Sequence, residues 1–228
     1  MLATLARALR LDEDQQAYLY ELAGKTPSRP RRRPTQRVRP PMQRLLDQLT
    51  ETPAMVLGRR MDILAWNPGA AALYIDFAAI PASRRNYVRL LFTEPRMRSV
   101  YVDWEEAART AAATLRMEAA HYPDDPDLAA LVGELSVQNP AFRTWWASHH
   151  VASTSYGTKH FNHPIVGELT LDCDIWANPD DRDQRLLILT AEPGTPSHQA
   201  LGILASWTAD PPTADRNASS STSSPGEH

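Results

Sequence analysis

The sequence predicts an α+β fold, an antiparallel sheet with helices packed on one face of it. Two strand-like runs near residue 60 are followed by a long block in which apolar residues recur at helical spacing, and the period turns to two again after His150. No regular strand–helix–strand alternation joins these stretches, so a parallel sheet is not expected.

The chain opens with two short helices over residues 1–24. Leu2, Leu5, Ala6 and Leu9 make one apolar stripe. Asp12 reads as an N-cap, with Gln15 completing a capping box. Tyr18, Leu19 and Leu22 are the expected buried face, and Gly24 the stop. So few large side chains cannot build a core alone. Residues 25–40 form a linker in which Lys25, Arg29, Arg31, Arg32, Arg33, Arg37 and Arg39 alternate with Pro27, Pro30, Pro34 and Pro40, without an acidic residue. Proline at this density keeps the segment extended. Its arginines, Arg31, Arg32 and Arg33 foremost, suit either DNA phosphates or plain solvation, and both readings stand.

Residues 41–208 form the main domain. A short amphipathic helix, "MQRLLDQL", leads into "AMVL" and "MDILAWN", two strands of a hairpin around Gly58-Arg59-Arg60. Asn67-Pro68 starts a helix. Further helices are expected at "SRRNYVRLLF", at "VYVDWEEAARTAAATLRMEAAH", at "DPDLAALVGELS" and at "PAFRTWWASHH"; in the longest, Val100, Trp104, Ala107, Ala108, Ala111 and Leu115 share one stripe. "VASTSYGTKHF", "IVGELTLDCD" and "RLLILTAEP" read as strands, and "SHQALGILASW" closes the domain as a helix. Residues 209–228 are polar and apolar-poor, a disordered tail by composition.

Composition bounds the function. The 228 residues carry 43% hydrophobic and 22% charged side chains, as a soluble globular chain does, and a net charge of −3, which gives no general affinity for nucleic acid or anionic lipid. A single cysteine, Cys173, excludes an intrachain disulfide and suits a reducing cytoplasm. The opening residues lack the long apolar run of a signal peptide and no stretch approaches the roughly 20 apolar residues that span a bilayer, so a soluble, cytoplasmic protein is expected.

Taken together, "LARALRLDEDQQAYLYELAG", "TPAMVLGRRMDILAWN", "DFAAIPASRRNYVRLLF", "DWEEAARTAAATLR", "HYPDDPDLAALVGELSVQNPAFRTWW" and "HPIVGELTLD…LLILTAEPGTPS" resemble the MmyB-like ligand-binding-domain family of bacterial Xre-type helix-turn-helix transcription regulators. The resemblance runs from Leu2 to Trp207, with the motifs in the expected order. It implies a PAS-like fold for the main domain and a cavity for a small apolar ligand, with fatty acid the favoured class. It also implies an N-terminal DNA-binding domain, of which residues 1–24 would be the last two helices. The helix that reads base edges would lie before Met1, so specific DNA binding depends on a segment upstream of this sequence. A homodimer is the expected assembly.

The histidines His160 and His163 sit three apart in a strand-like stretch, where they point to opposite faces and make poor co-ligands. Neither they, nor His149, His150 and Cys173, match a zinc spacing, and no metal or cofactor is expected. His163-Pro164 is read as the start of a central strand, with His163 a pocket-wall residue in second place. No nucleophile elbow, P-loop or dinucleotide fingerprint is present, and the adjacent acid pairs diverge. The expectation is therefore a binding protein, not an enzyme. Trp66, Trp104, Leu115, Phe142 and Trp145 are read as core residues that could also line a cavity. Arg116, beside Leu115, is the candidate for a carboxylate, which a guanidinium meets in a two-pronged fork. A sensory module carried by a transcription regulator is the resulting expectation; a ligand-free interaction module and an acyl-processing enzyme are the rivals.

Overall fold

A computed structural model describes residues 2–23, 36–148, 157–178 and 181–209. The chain divides into two units, Met1–Thr35 and Gln36–His228, each taken by itself.

The first unit holds helices α1 (Leu2–Ala8) and α2 (Glu13–Leu22). Arg10 ends α1 in the left-handed conformation (φ 52°), and the Leu11 N–H reaches back to the Ala6 carbonyl at 3.0 Å, a Schellman closure. The capping box forms as expected: the Gln15 N–H donates to Asp12 Oδ1 at 2.8 Å and the Asp12 N–H to Gln15 Oε1 at 3.1 Å. Tyr18 and Leu22, expected in a buried face, are exposed, because two helices this short bring no opposing wall. Arg31, Arg32 and Arg33 lie outside the described residues, as do His149 and His150 and most of the tail.

The second unit begins with α3 (Pro40–Gln48) and the hairpin of β1 (Ala54–Leu57) and β2 (Ile63–Trp66). Then come α4 (Pro68–Leu73), two 3-10 turns (Phe77–Ala79 and Ala82–Arg84), α5 (Tyr87–Thr93), α6 (Pro95–Ser99), α7 (Trp104–His121), α8 (Pro126–Gln138) and α9 (Pro140–Ala147). The strands β3 (Gly157–His163), β4 (Gly167–Asn178) and β5 (Asp181–Thr190) and the helix α10 (Pro196–Ala209) complete it. The five strands form one antiparallel sheet in the order β2-β1-β5-β4-β3, so chain ends and middle interleave at β1 and β5. The fold is α+β, as the sequence predicts.

Helix starts are written locally. Asn67, Asn86, Asp103, Asp125 and Asn139 each accept a first-turn N–H with the side chain, and Pro68, Pro126 and Pro140 follow three of them. The strands alternate. Met55, Leu57, Leu169, Leu171, Cys173, Leu187 and Leu189 face the large core under α4, α5, α7, α8 and α10. Ala54, Val56 and Leu186 face a second, smaller core built on Leu46 of α3. Helices therefore occupy both faces, whereas the sequence pattern suggested one; α3 was too short and too polar to be assigned a side.

Two boundaries differ from expectation. Residues 100–102 do not begin the long helix: Tyr101 bridges to Phe161 on the edge of β3, and α7 starts at the Asp103 cap. Pro164 lies in the turn before β4 rather than on its first residue, and Gly167 takes φ 76° there. His160 and His163 do point to opposite faces, one exposed and one buried.

Candidate ligand-binding site

Between α7 and the sheet lies a cleft with an interior of about 50 Å³. One wall is the α7 face bearing Ala107, Thr110, Ala111 and Thr114, spaced three, four and seven apart so that they share one side of the helix. Small side chains on that face leave the space between helix and sheet unfilled. The floor is Cys173 and Ile175 of β4 with Leu187 of β5, the last two being direct partners in the ladder. Met61, from the hairpin turn at φ 61°, Tyr87 of α5, Tyr101 and Lys159 of β3 close the ends.

The polar equipment is concentrated. Tyr87 and Tyr101 hydroxyls are 2.6 Å apart, and Tyr101 donates to Tyr74 Oη at 3.0 Å, making a buried row of three. The rings of Tyr74, Tyr101 and Phe161 pack together, with Tyr101 and Phe161 centroids 4.9 Å apart. Burial raises the Tyr87 pKa to about 12 and pushes those of Tyr74 and Tyr101 well above the ordinary phenol value, so all three are neutral donors at pH 7. Burial also raises the Cys173 thiol to about 11, against the pull of nearby Lys159. A protonated, enclosed thiol is a small apolar wall and not a nucleophile. Lys159 is half-buried and brings the cleft its positive charge.

The far end of α7 is tied to the sheet. Buried Glu118 accepts a hydrogen bond from Arg185 of β5, and the Tyr122 hydroxyl donates to Asp183. Arg59 lies 3.6 Å from Asp183. Gln36, where the chain enters this unit, joins both: its amide donates to the Asp183 carbonyl at 3.0 Å and its oxygen accepts from the Arg59 N–H at 3.1 Å.

The residues named from sequence lie elsewhere. Trp66 packs on Phe77, with the Arg85 guanidinium 5.1 Å from its ring. Trp104 donates to the Leu91 carbonyl at 2.8 Å and joins Phe92 and Trp145 in an aromatic group that Phe142 extends. Leu115 is fully buried in the main core. Arg116 stacks over Trp146 at 4.5 Å and donates to its carbonyl. His163 is 1% exposed; its Nδ1 accepts from the Ile165 N–H at 3.3 Å, which leaves Nε2–H to donate to the Ala72 carbonyl at 3.0 Å. None of the seven lines the cleft described above. Its polar residues, Tyr87, Tyr101, Thr110, Thr114 and Lys159, went unnamed in the sequence. One signal for Lys159 was there: it shares strand parity with Phe161 and His163, an unusual place for a lysine.

Among the described residues no group of three or more histidine, cysteine or acidic side chains is placed to hold a metal, and no helix is long and apolar enough to cross a membrane. No curated protein matches the chain. The family model of the MmyB-like transcription regulator ligand binding domain, however, matches residues 38–204, the whole span from the first helix of the second unit into α10, and the chain belongs to that family.

Proposed function

We propose that this domain is the sensory part of a cytoplasmic transcription regulator and that its ligand is a fatty acid held in the cleft between α7 and the sheet. The observation that carries the reading is the cleft itself: an apolar floor and an alanine-threonine wall, with a lysine at its edge. Alkyl chain fits the first two, and the Lys159 ammonium takes the carboxylate, the role that the sequence had suggested for Arg116. An interior of about 50 Å³ holds only a few waters. Ligand therefore selects a state in which α7 stands further from the sheet. Because α7 carries Glu118 and is capped by Tyr122, that shift loosens their hold on Arg185 and Asp183, and through Asp183 on Gln36. The linker that follows from Gln36 towards the first unit is the route by which occupancy modulates DNA binding. Arg31, Arg32 and Arg33 add phosphate contacts whose strength falls with salt.

Native mass spectrometry of the purified chain, followed by organic extraction and titration of the stripped protein with octanoate, tests this. A stoichiometric acyl guest, or saturable octanoate binding that Lys159→Met weakens several-fold, supports it. A folded protein that carries nothing and binds no straight-chain acid leaves a domain that only mediates protein contacts.

A further inference from the structure

We infer that the cleft is a blind slot that measures the length of the acid, with Met61 as its end stop. The inference rests on the acid-binding cleft proposed above and adds to it a limit on chain length set by one side chain.

Exposure gives the slot a direction. Thr110, Lys159 and Ile175 are half-buried, whereas Met61, Tyr87, Tyr101 and Leu187 are 8% exposed or less. The acid end stays with Lys159 near water, since a buried anion without a cation is heavily penalised. The methyl end runs inward, where Tyr74, Tyr87 and Tyr101 satisfy one another's hydroxyls, so that the wall they offer an alkyl chain is apolar. Lys159 belongs to β3 and Met61 to the turn that leaves β1, with β4 and β5 between them; three strand spacings make about 14 Å of sheet to cross. Width and length are held by different parts. The movable wall is α7, whose withdrawal from the sheet widens the slot. Met61 is fastened from elsewhere: its N–H donates to the Gly58 carbonyl at 3.0 Å, and its carbonyl accepts from the Tyr87 N–H at 2.9 Å. On either side of it, Asn86 Nδ2 donates to the Arg60 carbonyl at 2.6 Å and to Asp62 Oδ1 at 2.9 Å, and Arg60 is ion-paired with Asp62 and Asp125. None of these partners is on α7, so opening the slot leaves its end in place. Met61 also holds φ 61°, a left-handed conformation that glycine adopts at less cost. A methionine there supplies a side chain that the turn itself does not need, and at 5% exposure that side chain belongs to the core wall.

Calorimetric titration of the stripped chain with even-numbered saturated acids from hexanoate to hexadecanoate, below their micelle concentrations, reads the limit. Each added methylene should tighten binding about fourfold up to a best length. Acids beyond it should bind at least about fivefold more weakly than the best, because the surplus chain overpacks the closed end. In Met61→Ala, which removes three heavy atoms from the stop, the best length should move up by about one even-numbered step. Met61→Gly, whose backbone suits the left-handed turn, should move it at least as far; melting curves establish that each variant is folded. Affinity that climbs without a maximum through hexadecanoate overturns the length limit while leaving the acid-binding cleft in place. An optimum that stays put in the folded variants overturns Met61 as the stop. Binding of no acid overturns the cleft reading and the length limit with it.

Discussion

Asn67 uses every hydrogen-bonding group its side chain has. Oδ1 accepts from the N–H groups of Ala54 at 3.0 Å and Ala70 at 2.9 Å, while Nδ2 donates to the carbonyls of Leu49 at 2.6 Å and Thr52 at 2.7 Å. It caps α4 and pins the end of α3 to the first strand at once. Asn67→Ala should therefore cost about 3–4 kcal/mol, roughly 1 kcal/mol for each bond, read as a lowered urea midpoint. His163 makes a pH-dependent contribution. Burial lowers its pKa below the ordinary 6.5, so in the interval beneath 6.5 the unfolded chain binds a proton that the native state refuses. Its stabilising effect is complete above 6.5 and is lost as pH falls through the depressed folded value. Urea midpoints measured across that interval should drop more steeply for the native sequence than for His163→Gln, whose amide keeps a donor for the Ala72 carbonyl. The opposite parity of His160 and His163 was legible from spacing alone. The tyrosine row was not: Tyr74, Tyr87 and Tyr101 belong to three separate segments, and only tertiary packing joins their hydroxyls.

At the scale of the element, α7 decides whether the cleft is open. Ala111 is nearly fully buried yet borders empty space, so a larger side chain has somewhere to go. Ala111→Leu is expected to change stability by less than about 1.5 kcal/mol while lowering octanoate affinity more than tenfold, with melting and calorimetry giving the two readings. The helix's other end responds differently. Glu118→Ala strips Arg185 of its partner beside the sheet and should destabilise the domain by about 2–4 kcal/mol, seen in the same urea titrations. Periodicity made most of α7 readable, and the Asp103 cap marks its start. Val100 joined the predicted stripe only because its apolar spacing continues backwards; the competing strand pairing of Tyr101 with Phe161 is a long-range contact that no local pattern displays. The same geometry explains Arg116. One residue on from Leu115, it is rotated by about 100° around the helix and so leaves the stripe that points at the sheet.

For the whole domain, ligand binding and folding are linked. An acid present at a hundred times its Kd should add about 2.7 kcal/mol to stability. In a domain of this size that raises Tm by roughly 5–10 °C, and scanning calorimetry with and without octanoate measures it. The sheet class and element order were readable because caps, prolines and period-two runs are local signals; the strand order was not, since β1 meets β5 across most of the chain. That order leaves β2 and β3 on the outside, and each is capped by a single bridge. Asp62 pairs with Asn86 beside β2, and Tyr101 with Phe161 beside β3, where the His160 carbonyl and the Asn162 N–H are engaged by Val102 and Val100. At these points an incoming strand finds its backbone partners already taken. Over those residues the sheet cannot extend by backbone pairing with a second strand.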